Sequence, residues 1–109
     1  MSQVAELNES EFEAEVAASA EPVVVDFWAP WCPPCRALGP VVDRVAQNFE
    51  GRVKVLKCDV DQNPGLAEQF GVQTIPNLTF FKSGQVVDQS IGYVNETQLT
   101  AKVEALLKG

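Results

Sequence analysis

The sequence predicts an α/β fold in which a central mixed β-sheet carries helices on both faces. Three observations point there. Two apolar runs, Val23–Trp28 and Val53–Cys58, flank a long segment of helical character, and the right-handed crossover rule makes the two strands parallel. Leu78–Lys82 and Gln85–Ile91 alternate around Ser83-Gly84, which reads as an antiparallel hairpin. Leu99, Val103, Leu106 and Leu107 share one apolar face near the end of the chain, as in a helix packed on a sheet.

Each element has its own signal. Asn8 to Ala18 reads as a helix, with Asn8 as N-cap and Glu11 three residues on. Val23 to Trp28 is so continuously apolar that it needs cover on both faces. A helix from Pro33 to about Phe49 follows. Pro33 and Pro34 fall in its first turn, where a missing N–H costs little. Pro40 falls inside it and is expected to kink it. Asn63-Pro64 opens a short helix ended by Gly71. Asn95 with Gln98 caps the last helix, which runs to Lys108.

The chain has 109 residues, the size of one domain, and 46% of them are hydrophobic, enough for a core. Fifteen acids against eight bases give a net charge of -7. That balance argues against nucleic acid and anionic membranes as partners. No stretch is long and apolar enough to span a bilayer, and Met1-Ser2-Gln3-Val4-Ala5-Glu6 lacks the basic and apolar parts of a signal peptide. The expected location is the cytoplasm, unless a leader has been removed. Three cysteines are an odd count, unlike a secreted disulfide scaffold. With no histidine, proton transfer near neutrality must use a perturbed Asp, Lys or Cys.

The chemistry centres on Cys32-Pro33-Pro34-Cys35, preceded by Trp31, where the first apolar strand hands over to a helix. Two thiols three residues apart at a helix start lie on one face, so their sulfurs can meet. A helix N-terminus stabilises a thiolate, the form that attacks disulfides. Two ordinary buried thiols would be the plain alternative. A zinc site would need four ligands, and Cys58 is the one further cysteine.

The segment Trp28-Ala29-Pro30-Trp31-Cys32-Pro33-Pro34-Cys35 resembles the active-site segment of the thioredoxin family. Similar to the family as well are Val25-Asp26-Phe27, Lys57 with Asp59-Val60-Asp61 and Asn63-Pro64, Thr74-Ile75-Pro76, Phe80-Phe81-Lys82-Ser83-Gly84 and Ile91-Gly92. The matches run from about Phe12 to Leu107, and they imply a single thioredoxin-fold domain over residues 1–109. Two positions depart from the family pattern. Pro33 stands where Gly is usual, and Asn77 follows Pro76 where Thr is usual.

Helix position gives the two cysteines different expected roles. Cys32, near the N-cap, is expected to be exposed and thiolate-prone, and so to attack the substrate disulfide. Cys35, one turn deeper, is expected to be more buried and to resolve the mixed disulfide. Asp26 is a lone acid in an apolar strand; it faces solvent, or it is buried with a raised pKa. The resemblance implies the second, with Asp26 behind Cys35 taking its proton and Lys57 pairing with Asp26. A plain strand-end lysine is the other reading of Lys57. A trans peptide is the default for Ile75-Pro76; the resemblance implies cis, packed on the sulfurs, with the Ile75 backbone open to an extended substrate. Trp31, Pro34, Ile75, Pro76 and Gly92 are expected to form an apolar, low-relief docking surface, with core packing the alternative for Trp31. Trp28 is assigned to the core and to support of the loop. Cys58 reads as a small buried hydrophobe, with oxidative regulation as the alternative.

Pro33 tunes the pair in more than one direction. It removes an N–H that could stabilise a thiolate, and adjacent prolines lower the entropy lost on closing the disulfide. Both favour the disulfide. Strain in the closed ring opposes them, because Pro34 disfavours helical dihedrals at Pro33. The function these readings support is that of a monomeric general protein-disulfide reductase, acting on many protein substrates and regenerated by a thioredoxin reductase. That partner holds the electrons, from NADPH or ferredoxin; no metal, flavin or nucleotide site is expected on this chain. A thiol oxidase or disulfide isomerase is the alternative within the same chemistry. A redox-idle binding subunit is the alternative outside it.

Overall fold

Strand β2 (Val23–Trp28) holds the centre of the molecule, hydrogen-bonded on both edges. The computed structural model describes residues 4–109. The other strands are β1 (Ala5–Glu6), β3 (Lys54–Asp59), β4 (Asn77–Lys82) and β5 (Gln85–Ile91), and the sheet order is β1-β3-β2-β4-β5. β3 is parallel to both β1 and β2; β4 is antiparallel to β2 and β5. The α/β fold with a mixed sheet expected from the sequence is therefore the fold observed, with β3 and β4 each displaced by one residue from the expected start.

Alternation along β2 divides the core into two layers. Val24 joins Leu78 and Phe80 beneath helices α1 (Pro33–Asn48) and α3 (Glu96–Lys108), which contribute Leu38, Val42, Leu99 and Val103. Val23, Val25 and Phe27 join Leu56, Cys58 and Phe81 on the opposite face, covered by Leu7, Val16 and Leu66 of helix α2 (Pro64–Gln69). Asp26 follows the Val24 side, so it is directed toward α1. α1 continues through Pro40 to Asn48. α3 starts at the expected reciprocal cap: Gln98 N donates to Asn95 Oδ1 at 2.8 Å and Asn95 N to Gln98 Oε1 at 3.0 Å.

The N-terminal segment departs from expectation. Instead of one α-helix from Asn8 to Ala18, a 3-10 turn spans Glu9–Glu11 and a π-helical turn spans Glu13–Ala17. The cause is tertiary. Glu9 N donates to Asn63 Oδ1 at 3.0 Å, and Glu9 Oε1 accepts from Gly65 N at 2.8 Å. These bonds tie the turn to the start of α2. Phe12 then stacks with Phe70 and Phe81 at 5.2 and 5.8 Å. β1 was not foreseen; two residues give no periodicity, and their register is supplied by the open edge of β3. Residues 1–3, which entered the signal-peptide argument, lie outside the described residues. Among those described, no helix is long and apolar enough to cross a membrane.

Candidate active site

β2 delivers the chain to α1 through a short turn closed by Cys32 N donating to Ala29 O at 3.2 Å. Cys32 is the N-cap of α1, with extended dihedrals, and Pro33 and Pro34 take the first two helical positions. Two N–H groups of the first turn are therefore missing. The next one, of Cys35, donates to Cys32 Sγ at 3.3 Å. The two cysteines are joined by a disulfide with their Cα atoms 5.2 Å apart.

The expected exposure of Cys32 is not observed. Cys32 is 4% exposed and Cys35 3%; with Ala29 they form a buried cluster against which Trp28, Val60 and Ile75 pack. The sulfurs differ in what they face. Cys32 Sγ lies 4.0 Å from Ile75 O, on the outer side. Cys35 lines a pocket of about 120 Å3, partly open to solvent, that it shares with Asp26, Trp28, Asp43 and Lys57.

Asp26 is buried, and its Oδ1 has no hydrogen-bond partner. Loss of hydration pushes its pKa up from 3.8 to about 7; the Lys57 charge lowers it and the Asp43 charge raises it. Lys57 is the register partner of Asp26 on β3. The expected pairing is not a contact, however. The Lys57 ammonium lies over the Trp28 ring, 5.3 Å from its centroid, and acts on Asp26 through its field. Trp28, assigned to the core and to support of the loop, is half-buried and packs against the cluster of Ala29, Cys32 and Cys35.

The outer surface is built from four segments. Trp31 is 63% exposed, which removes the core-packing alternative. Its Nε1–H donates to Asp61 Oδ2 at 2.6 Å, and Asp61 N donates in turn to Asp59 Oδ1 at 2.9 Å. Arg36 Nη1 braces the same loop through Pro30 O at 3.0 Å. Pro34 is exposed, Ile75 half-buried and Pro76 buried. The Ile75–Pro76 peptide is cis. Gly92 N donates to Pro76 O at 2.8 Å, and Gly92 has φ +92°, a left-handed conformation suited to glycine. Ile91 and Tyr93, 64% and 53% exposed, flank it. Sequence reasoning missed both; an apolar residue on each side of the strand-ending glycine was the available signal. It also missed the roles of Asp61, whose partner Trp31 lies 30 residues away in the chain, and of Arg36. Asn77, at the departure from the family pattern, is buried and accepts from Thr79 Oγ1 at 2.8 Å. Cys58 is fully buried, and loss of hydration with nearby Asp59 and Glu9 pushes its thiol up to about 12. At that value it is an unreactive core thiol.

Residues 3–105 match the family described as thioredoxin. The chain belongs to the thioredoxin family. It is 50% identical over 104 residues to thioredoxin 1 of Nostoc sp., covering 95% of this chain and 97% of that protein. It is 47% identical over 107 residues to the thioredoxin of Synechocystis sp., covering 98% and 100%. The thioredoxin of Haemophilus influenzae is 46% identical over 99 residues, covering 91% and 92%. As a thioredoxin-family protein this chain is a protein-disulfide reductase working through the Cys32–Cys35 pair. Membership implies, in general terms, a reductase and disulfide-bearing substrates as its partners.

Proposed function

We propose that this chain is a general reductant of protein disulfides in which Cys32 is the nucleophile and Cys35 the resolving thiol. One observation carries the reading: Cys32 Sγ lies 4.0 Å from the Ile75 carbonyl oxygen, while Cys35 and not Cys32 lines the pocket that holds Asp26. The Cys32 thiolate attacks one sulfur of a substrate disulfide. A mixed disulfide forms, and the other substrate sulfur leaves as a thiolate and is protonated. Asp26, as carboxylate, takes the Cys35 proton. The Cys35 thiolate then attacks Cys32 Sγ; the Cys32–Cys35 disulfide forms and the second substrate thiolate departs. Two electrons have passed from the dithiol to the substrate.

The remaining residues position these steps. Trp31, Pro34, Ile75 and Gly92 form the docking surface, widened by Ile91 and Tyr93; Pro76, expected to share it, is buried beneath. Low relief and apolar character suit many substrates with little sequence preference. The backbone at Ile75 pairs with an extended substrate segment. Lys57 moderates Asp26, and Pro33 sets the balance between disulfide and dithiol. The protein acts as a single-domain monomer spanning residues 1–109. It works in the cytoplasm and is regenerated by a thioredoxin reductase that draws on NADPH or ferredoxin.

The test is the equilibrium reduction potential of the Cys32–Cys35 couple, followed by Trp28 and Trp31 fluorescence in a defined thiol buffer. A value near about −270 mV, that known for thioredoxin itself, is expected. A value near about −120 mV, that of a strong periplasmic oxidant, would reassign the protein as an oxidase or isomerase.

A further inference from the structure

The segment 71–76, which carries Ile75 and Pro76, has neither helix nor strand of its own. It leaves α2 after the cap residue Phe70 and enters β4 at Asn77. One side chain from a third element ties both of its ends. Gln89 of β5 donates through Nε2 to Phe70 O at 3.3 Å and to Thr79 Oγ1 at 3.1 Å. Thr79 Oγ1 donates onward to Asn77 Oδ1 at 2.8 Å. The register of β4 and β5 sets Thr79 directly opposite Gln89, and alternation puts Asn77 and Thr79 on one face of β4. The groups suit the geometry. An amide nitrogen carries two protons, and both are used; a hydroxyl accepts one bond and donates another. Thr79 and Asn77 are buried, so their bond is shielded from water. Gln89 is exposed. Between the two anchors, Ile75 O lies 4.0 Å from Cys32 Sγ and Pro76 O accepts from Gly92 N at 2.8 Å.

We propose that Gln89 is a positioning residue for substrate docking: its amide clasps the segment 71–76 at both ends and so holds the Ile75 backbone at its place beside the Cys32 sulfur. The proposal rests on the reading of the Ile75 backbone as the edge where an extended substrate pairs. Gln89 touches neither the sulfurs nor that edge; it acts through Phe70 at one end and through Thr79 and Asn77 at the other. A segment without regular structure has freedom that a pairing substrate must remove, and ordering it in advance lowers that cost. The clasp therefore acts on the affinity for substrates that pair along their backbone. The sulfur chemistry does not pass through it.

The experiment compares two substrates of the full chain, a disulfide-linked peptide and a small aromatic disulfide with no peptide backbone, and follows the Ile75 amide by NMR. Gln89→Glu keeps the shape of the side chain but offers acceptors where donors are needed; Gln89→Leu removes the polar group. Both are expected to shift the Ile75 amide resonance and to raise KM for the peptide several-fold at unchanged kcat. The rate with the small disulfide is expected to stay at that of the parent. Thr79→Val, which breaks the branch to Asn77, is expected to raise the peptide KM as well, and Thr79→Ser, which keeps the hydroxyl, to leave it unchanged. Should Thr79→Val fail to fold, the Gln89 variants, at an exposed position, decide alone. A peptide KM and an Ile75 resonance that both stay in place in the Gln89 variants overturn the clasp. A resonance that shifts while the peptide KM does not overturns the reading of Ile75 as the pairing edge, and the proposal with it. Equal slowing of both substrates also overturns the proposal, because the residue would then act on the sulfurs or on the fold at large.

Discussion

Lys57 and Asp26 sit side by side on neighbouring parallel strands, and the Lys57 ammonium rests on the face of Trp28, 5.3 Å from the ring centroid. Trp28 lies two residues beyond Asp26 on the same strand and the same side of the sheet. The indole thus holds a cation near the acid without an ion pair closing over the carboxylate. Burial outweighs the lysine, and Asp26 stays far above an ordinary aspartate.

That balance makes stability depend on pH. The folded value of about 7 lies above the reference value of 3.8. A group raised in this way contributes its stability below about 3.8 and loses it as pH rises through about 7. At about 1.4 kcal/mol per unit, the ionised acid costs on the order of 4 kcal/mol above neutrality. Asp26→Asn is expected to raise the urea midpoint clearly at pH 8 and to leave it nearly unchanged at pH 3.5. Equal gains at both values would mean that the folded chain does not resist ionisation of Asp26.

The two sulfurs are distinguished by trapping. Cys35→Ser is expected to accumulate a disulfide-linked complex with a protein substrate, visible on a non-reducing gel. Cys32→Ser is expected to yield none. The reverse pattern would exchange the roles of the two cysteines.

Pro33→Gly is expected to make the Cys32–Cys35 couple less negative. The adjacent prolines limit the freedom of the dithiol form, and glycine returns it, at a cost to ring closure of about 0.4–1 kcal/mol. That is a shift of roughly 10–20 mV for a two-electron couple. Redox titration of both proteins checks it; a more negative variant contradicts the account of Pro33.

Asp61→Ala releases the Trp31 indole, which now donates to Asp61 Oδ2 at 2.6 Å. The pair is exposed, so a loss of about 0.5–1.5 kcal/mol is expected, a roughly twofold to tenfold rise in KM for a protein substrate. kcat should change little. Reductase-coupled turnover separates the two, and a fall in kcat at constant KM would place Trp31 in the chemistry rather than in docking.

The sequence was most legible where a signal was long and local. The six-residue apolar strand β2, the α1 turn with both cysteines, the hairpin and the Asn95–Gln98 cap all follow from neighbours within a few positions. It was least legible where distant residues decide. Asn8 caps with Glu11 as expected, Asn8 N donating to Glu11 Oε1 at 3.1 Å, but the element that follows is a 3-10 turn tied to Asn63 and Gly65 rather than an ordinary helix. Cys32 should be open on its helix position alone; Val60 and Ile75, brought from two other segments, pack against its cluster. Spacing revealed the reactive pair. It could not reveal that Asp61 holds the Trp31 indole, because that role exists only once the fold sets the two side by side.

The two prolines that open α1 carry no amide proton. Amide-detected spectroscopy is therefore blind between Cys32 and Cys35, across the turn that makes and breaks the sulfur–sulfur bond. Two protons at its borders take over the reporting. One is the Cys35 amide, which donates to the Cys32 sulfur; the other is the Trp31 indole proton, held by Asp61. The first follows the oxidation state of the pair and the second follows docking, so a single spectrum can watch electron transfer and substrate engagement as separate signals.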